Sequence, residues 1–365
     1  MLVRRRSITY AVAATAAVIL ALSGCSTATG GGGTDTGTTT SSDSSDITDY
    51  CGDKPAKVTF LKSVGGNTWV LQAAAEFLDE ASKCPNVTAS FAQQFGDQQK
   101  AIADITSAVA QGTNVIVIQA DYGAPQLPAL RAATEAGVKV VQIIGTAGGT
   151  EGTDYYAATL FDTAAIGQTW ADFIHEQLPD GGNVAYIGGT PGNETSTYFF
   201  NDFQKGLAKY DNLTILGDGI QYANWDPVEN RKVTAGLISK YGQIDAIVSD
   251  FNAPNIGVLQ AFDDAGVARP IITSITPSNQ LACDWLENPY PWLTLGGTSS
   301  LPRLALRIGL GAYEGIENEE PRNVLPEPLA YTPDGEQPTC NPDFPPDADL
   351  SADLTEEQLI ELFQN

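Results

Sequence analysis

Histidine is nearly absent: His175 is the single one in 365 residues. It stands in the helix-like stretch around Trp170, where a lone imidazole is usually solvated or packed. One histidine cannot write a His-rich zinc site or an HExxH motif. Basic residues are scarce as well, with 19 Lys and Arg against 44 Asp and Glu and a net charge of −25. A surface that acidic repels phosphate backbones and anionic lipid, which argues against nucleic-acid partners. No GxGxxG or GxxxxGK[ST] stretch accompanies the Gly65-Gly66 or Gly148-Gly149 pairs, so these read as turns. No cofactor and no metal is implied.

What is present points to an exported globular chain. Its length suggests two domains, and 42% hydrophobic with 17% charged residues is an ordinary globular balance. Arg4-Arg5-Arg6 precedes an apolar run at 10–22 that is too short to span a membrane comfortably. Such a basic start, short apolar stretch and small residues mark a secretory signal peptide. Leu22-Ser23-Gly24-Cys25 resembles the bacterial lipobox, which implies removal of residues 1–24 and a lipid on the Cys25 thiol. Losing three arginines moves the net charge from −25 toward −28. Residues 25–50 then read as the lipidated cysteine and a flexible Gly/Ser/Thr tether. Cys51, Cys84, Cys283 and Cys340 remain, an even number in an oxidising location, with three possible pairings.

From residue 58 onward, strand-length apolar runs alternate with amphipathic helical segments. The runs at 58–61, 87–91, 115–118 and 140–144 are separated by helical patterns at 68–82, 98–110 and 126–136. A second series follows between 184 and 275. The two series overlay: Asn67 and Asn86 recur as Asn193 and Asn212 at an offset of 126, and Asp97 and Asp121 recur as Asp226 and Asp250 at 129. Ala136-Gly137-Val138 likewise recurs as Ala265-Gly266-Val267. The expected fold class is α/β, two doubly wound parallel-sheet lobes facing each other across a gap.

In open parallel sheets, ligands bind beyond the carboxyl ends of the strands. That rule selects Asn67 and Trp69, Gln119, Asp121 and Tyr122 in the first lobe. In the second it selects Tyr198, Trp225, Asp250, Phe251 and Asn252. Amides and carboxylates bond hydroxyls, and flat rings pack on the C–H face of a sugar. Lys62 is the nearest cation before the first loop. Without an arginine for a carboxylate or phosphate, a neutral polyol fits best and an organic cation next. Each residue also has a structural reading: Asp97 and Asp226 as helix caps, Asp121 and Asp250 as possible caps, Trp69 and Trp225 as core covers, and Trp170, Trp285 and Trp292 as packing.

The lipobox, tether and paired lobes together resemble the type I periplasmic-binding-protein fold, specifically the ribose/galactose-type sugar-binding lipoproteins of ABC importers, over about residues 55–335. The resemblance implies ligand contacts from Asn67, Trp69, Gln119, Trp225 with Asp226, and Ser300. The sequence departs from the family at three polar anchors. An Asp-Arg pair falls near Ile144-Gly145-Thr146, an arginine near Tyr198-Phe199, and an aspartate near Thr276, itself taken as a contact. The expected ligand is therefore more apolar than a simple pentose or hexose: a modified sugar, a nucleoside or an aglycone.

The resemblance also implies a three-crossing hinge near 159–163, 273–277 and 298–301. Lobe one is then 52–160 plus 301–325, and lobe two is 161–300 plus 326–365 with the tail. It favours the pairings Cys51–Cys84 and Cys283–Cys340, which leave the hinge free. The tail carries a capping box, Thr355 to Gln358, opening a short helix. The function expected is a lipid-anchored, extracytoplasmic, non-enzymatic receptor, a monomer, that closes on a small carbohydrate-like solute and delivers it to an ABC permease. Alternatives are a nucleoside or organic-cation receptor, a sensor for a membrane kinase, a glycosidase using Asp121 and Asp250, and a structural lipoprotein with an empty cleft.

Overall fold

The computed structural model describes residues 46–364 apart from Gly65, Phe95 and Gly96. The expected signal peptide, Cys25 and most of the tether lie outside the described residues. Residues 46–50, expected in the tether, are folded: Ile47–Asp49 form a 3-10 turn capped by Asp46, and Ile47 and Tyr50 are buried. Two apolar side chains beside Cys51 give this end of the tether a reason to pack.

The chain then alternates. It runs β1 (Ala56–Lys62), α1 (Thr68–Ser82), β2 (Val87–Gln93), α2 (Gln98–Ala110), β3 (Val115–Gln119), α3 (Leu127–Glu135), β4 (Lys139–Ile144) and β5 (Ala157–Phe161). The second series is α4 (Thr163–Gln177), β6 (Gly182–Gly188), α5 (Glu194–Leu207), β7 (Leu213–Ile215), β8 (Gln221–Tyr222), α6 (Pro227–Tyr241), β9 (Ala246–Ser249), α7 (Asn255–Ala265), β10 (Ile271–Thr273), α8 (Asn279–Glu287) and β11 (Trp292–Gly296). It closes with α9 (Leu301–Glu314), β12 (Asn323–Val324), β13 (Glu327–Tyr331) and α10 (Glu356–Gln364).

Among the described residues the strands form two sheets. One has the order β12-β5-β4-β3-β1-β2; the other β13-β11-β10-β9-β6-β7, with β8 also pairing with β6. Every neighbouring pair is parallel except β11 with β13. Helices cover both faces, so a central strand such as β3, Val-Ile-Val-Ile-Gln, is buried throughout. The repeated residues mark equivalent joints. Asn67 and Asn193 cap α1 and α5, and Asp97 and Asp226 cap α2 and α6, each accepting a backbone N–H two or three residues on. Trp170, Trp285 and Trp292 are fully buried. His175 stacks on Tyr210 with ring centroids 4.1 Å apart.

The sheets exchange chain three times. Passage one follows β5, and passage two runs through the 3-10 turn Thr298–Ser300 into α9, which packs on the first sheet. Passage three lies at 325–326, between β12 and β13. The expected crossing at 273–277 is corrected. The backbone there stays beside β11, with Ser274 N–H donating to Leu293 and Thr276 N–H to Leu295 at 2.9 and 2.8 Å. The disulfides Cys51–Cys84 and Cys283–Cys340 each stay within one lobe. The tail is also corrected. Cys340 ties its beginning to α8, but α10 lies against α1 of lobe one, where Gln358 donates to Asp79 at 2.7 Å. The capping box forms as a reciprocal Thr355–Gln358 pair.

Helices α6 and α7 meet through Gly257, where an added Cβ would lie 1.9 Å from the Pro227 carbonyl oxygen. These helices follow the loops of Trp225 and Phe251, so their contact fixes how those loops meet. Gly257→Ala should destabilise the chain by roughly 1–3 kcal/mol through overpacking, measured as a lowered calorimetric unfolding midpoint.

Candidate functional site

A cavity of about 270 Å³ opens between the carboxyl ends of the two sheets. That is near the lower end of the roughly 300–1,000 Å³ typical of small-molecule pockets. From sheet one it is lined by Lys62, Gln119, Ile144 and Phe161 at strand ends, and by Asn67, Trp69 and Val70 at the start of α1. From sheet two it is lined by Asn224, Trp225, Asp250, Phe251, Ile275 and Thr276.

The lobe-one wall is organised by a buried ion pair. Lys62 Nζ lies 2.6 Å from Asp121 Oδ2, and both side chains are almost wholly buried. Asp121 also accepts from Val64 N–H and from Gln119 Nε2, each at 3.0 Å. Burial pulls the Lys62 pKa down, and the charge of Asp121 opposes that pull. Asp121 is therefore saturated by protein donors, while Gln119 Oε1 is buried with no partner. Asn67 spends its carbonyl on Val70 N–H, capping α1 at 3.0 Å, which leaves its amide N–H groups for other partners. Trp69 donates its indole N–H to Thr298 Oγ1 at 3.0 Å, and Thr298 meets Thr276 Oγ1 at 2.8 Å. The ring is held; its face is what it offers.

The lobe-two wall is built around Asp250, which is 4% exposed. Trp225 Nε1 donates to Asp250 Oδ1 at 2.8 Å; Oδ2 has no donor in good hydrogen-bond geometry, although Ser196, Tyr186 and the Gly189 N–H stand beside the carboxyl. Burial pushes the Asp250 carboxyl up to about 6, against the opposing donors Ser196, Trp225 and the Gly189 N–H. Gly189 makes room for the indole: a Cβ there would lie 2.1 Å from Trp225. A buried carboxylate oxygen without a well-placed donor, beside a clamped ring, is a ready acceptor for a ligand hydroxyl.

Backbone strain gathers in the same place. Among the described residues, the non-glycine residues with positive φ are Ile144, Asn224, Trp225 and Thr276, at 67°, 54°, 52° and 68°. All four line the cavity. The left-handed region is costly for β-branched and bulky side chains, and such outliers cluster at binding and active sites.

The structure brings Asn67, Trp69, Gln119, Asp121, Trp225, Asp250, Phe251 and Thr276 to this cavity and leaves four expected residues outside its lining. Tyr122 accepts at its loop a different role, its backbone N–H donating to Gln126. Tyr198 lies 39% exposed on α5. Asn252 is fully buried as scaffold, bonded to Ser274 at 2.8 Å and to Ile275 through its backbone. Ser300 sits within the second crossing, its side chain beside Glu76 of α1. Neither Asp121 nor Asp250 caps a helix. Asp226 caps α6 instead of meeting the cavity. The lining also includes Lys62, Val64, Phe161, Thr190, Thr195, Ile275 and Thr298. Phe161 was legible only as part of the first crossing, Ile275 only as the end of an apolar run, and Lys62 only as a nearby cation. Asp121 is occupied by Lys62, so it does not form a free carboxylate pair with Asp250 of the kind glycoside hydrolysis needs. Among the described residues, no group of three or more His, Cys, Asp or Glu could hold a metal ion.

Comparison with known proteins is consistent with this architecture. Among curated proteins, the chain is 29% identical over 185 residues to the multiple sugar-binding periplasmic protein SbpA of Azospirillum brasilense, covering 46% of this chain and 51% of that protein. It is 26% identical over 203 residues to the multiple sugar-binding periplasmic receptor ChvE of Rhizobium radiobacter, covering 49% and 57%. The chain thus spans about half the length of the curated relatives it matches. Among solved structures, the binding protein of the arabinose ABC transporter from Shewanella sp. ANA-3 superposes with a TM-score of 0.68 at 17% identity, over 75% of this chain and 92% of that one. A galactofuranose-binding protein gives 0.67 at 19% identity, over 77% and 95%. These similarities establish the shared two-lobed fold. Residues 58–290 match the periplasmic binding protein domain, and the chain belongs to that family of solute-binding receptors, which are not enzymes.

Proposed function

We propose that the protein is an extracytoplasmic receptor of an ABC importer that closes its two lobes on a small, neutral, carbohydrate-like ligand. Asp250 supports this reading most directly: it lines the cavity beside Trp225 and Phe251, with one carboxylate oxygen lacking a well-placed donor. Across from it, Gln119 Oε1 and the Asn67 amide supply a second set of hydrogen-bonding groups from the other lobe. A ligand bridging these groups would gain contacts only when the lobes are together, which is the differential affinity that hinge closure requires. Ile144, Phe161, Ile275 and Val70 make much of the remaining wall apolar. They favour a sugar with an apolar edge or substituent over a fully hydroxylated one.

The names of the relatives agree with this class. Both curated relatives are named as multiple sugar-binding proteins, and the structural neighbours were solved with or named for arabinofuranose and galactofuranose. On this reading, the chain works outside the cytoplasm, tethered by lipid at Cys25 through residues 25–50, with 52–160 plus 301–325 as lobe one and 161–300 plus β13 as lobe two. A sensory role has one observation in its favour: the fructose-binding periplasmic domain of a hybrid two-component system shares the fold, with a TM-score of 0.66. Uptake of labelled sugar by cells with and without the gene separates the two roles, because a receptor that only signals leaves uptake unchanged in cells already induced.

Ligand class is tested by thermal-shift screening of the soluble chain against pyranoses, furanoses, deoxy sugars, nucleosides and quaternary amines. Dose-dependent stabilisation should appear with the sugars; stabilisation by amines alone would refute the reading. With a sugar in hand, Trp225→Ala should weaken binding by about 2 kcal/mol, roughly thirtyfold, in titration calorimetry. Gly189→Ala should weaken it as well, by driving a Cβ into the indole that Asp250 holds.

The pH dependence has two opposite signs. A hydroxyl donates better to an ionised Asp250, so affinity should drop about tenfold between pH 7.5 and pH 5 as a carboxyl near 6 takes up its proton. Asp250→Asn should flatten that profile. In the unliganded chain the folded state holds this proton more tightly than the unfolded state, whose carboxyl titrates near 3.8. Its contribution to folding stability therefore falls as pH rises from about 4 to 7. Glu76, pushed up to about 7 by burial, adds to the same trend.

A further inference from the structure

The segment 341–364 is absent from every role described so far, yet it touches both lobes. Its main chain is bonded to lobe two at successive points. Gln280 N–H donates to the Pro346 carbonyl at 2.8 Å, Asn279 N–H to Ala348 at 3.0 Å, and Leu350 N–H to the Pro277 carbonyl at 2.9 Å. The intervening residues turn to lobe one. The carboxylate of Asp347 accepts from both the N–H and the hydroxyl of Thr68, at 2.9 and 2.5 Å. The backbone of Asp349 exchanges two bonds with the Gln72 amide, at 2.9 and 2.8 Å. Further along, Asp353 pairs with Arg303 of α9 and donates its N–H to Glu76 at 3.1 Å. Even-numbered residues from 346 to 350 thus hold one lobe and odd-numbered ones the other.

Both lobe-one anchors adjoin the cavity. Thr68 lies between Asn67 and Trp69, which line it, and Asp349 Oδ2 approaches Thr298, the hydroxyl that holds the Trp69 indole. The Cys283–Cys340 disulfide fixes the start of the segment to α8, so it cannot leave lobe two by fraying from that side.

We propose that residues 341–364 form a strap across the hinge, a fourth tie between the lobes that restrains how far the cleft opens when it is empty. Three single-chain passages alone would let the lobes rotate freely about them. With the strap in place, rotation that separates α1 from α8 must break the Thr68–Asp347 or Gln72–Asp349 bonds. The device acts without ligand and does not depend on which solute the cavity takes.

The test is pulsed electron-spin distance measurement on the unliganded soluble chain, with labels at the exposed positions Lys100 on α2 and Val228 on α6. The parent chain should give one narrow distribution. Asp347→Ala should broaden it toward longer distances, and Thr68→Val, which removes one hydroxyl and little volume, should do so to a smaller degree. Circular dichroism and retention of both disulfides check that each variant is folded. Should Asp347→Ala fail to fold, the Thr68→Val comparison and the parent distribution still decide. A parent distribution that is already broad, or variants that superpose on a narrow parent, would overturn the strap. A parent chain that binds no sugar, with the variant distributions still broadened, would count against the receptor reading and leave the strap intact.

Discussion

Burying a carboxylate at the end of a parallel strand costs several kcal/mol unless a partner comes with it, and the two halves of this chain meet that cost differently. Asp121 and Asp250 occupy the same place in the repeated pattern, one step or two beyond β3 and β9, at the centres of their sheets. Asp121 is neutralised by Lys62 and saturated by two further donors. Asp250 has one oxygen clamped by Trp225 and the other buried without a well-placed donor. The first carboxylate stiffens a wall; the second leaves an acceptor waiting. One duplicated scaffold thereby yields an asymmetric cleft, and the asymmetry comes from a single lysine at the end of β1.

The strained backbone follows from the same arrangement. Trp225 can reach Asp250 only from a loop that turns back over Gly189, and residues 224 and 225 take left-handed conformations to make that turn. Ile144, at the end of β4, and Thr276, in the loop after β10, do the same in the lining of the cavity. Conformations of this kind cost of order 1–3 kcal/mol each and persist where surrounding packing over-determines them. Here that packing is the body of each lobe, buried strands under helices, and the strain sits at its rim. Rigid sheets with costly rims pre-shape the cleft before any ligand arrives, so less ordering remains to be done on binding.

Much of the fold was legible because its signals are local. Four-residue apolar runs such as Val115 to Ile118 and the caps Asn67, Asp97, Asn193 and Asp226 are written in neighbouring residues. The offset between Asp121 and Asp250 reported the duplication. The site was half legible, since strand ends can be read but the direction of a side chain on the following helix cannot. Tyr198 points to solvent because α5 turns its apolar face, Phe199, Phe200 and Phe203, inward one position later. Asn252, expected as a ligand group, is instead buried in the turn after β9, where its side-chain oxygen accepts from Ser274 and its backbone N–H donates to the Ile275 carbonyl. Burial of Lys62 depended on Asp121, 59 residues away, and no local pattern reports such a pair.

The misplaced crossing and the strap have a common origin. A sequence shows where a strand ends, and less readily which sheet the chain joins next. At 273–277 the backbone bonds to β11 instead of leaving for lobe one; the chain leaves only after β11, at 298–300, and returns at 325–326. That deferral places Pro277, Asn279 and Gln280 where the segment 346–350 can bond them from outside. The segment is rich in proline and aspartate, a composition that reads as a loop because it has no periodic apolar face. Its order comes instead from polar side chains on two bodies at once. An element held in that way has no signature of its own, and it is the part of the molecule whose bonds must change when the lobes move.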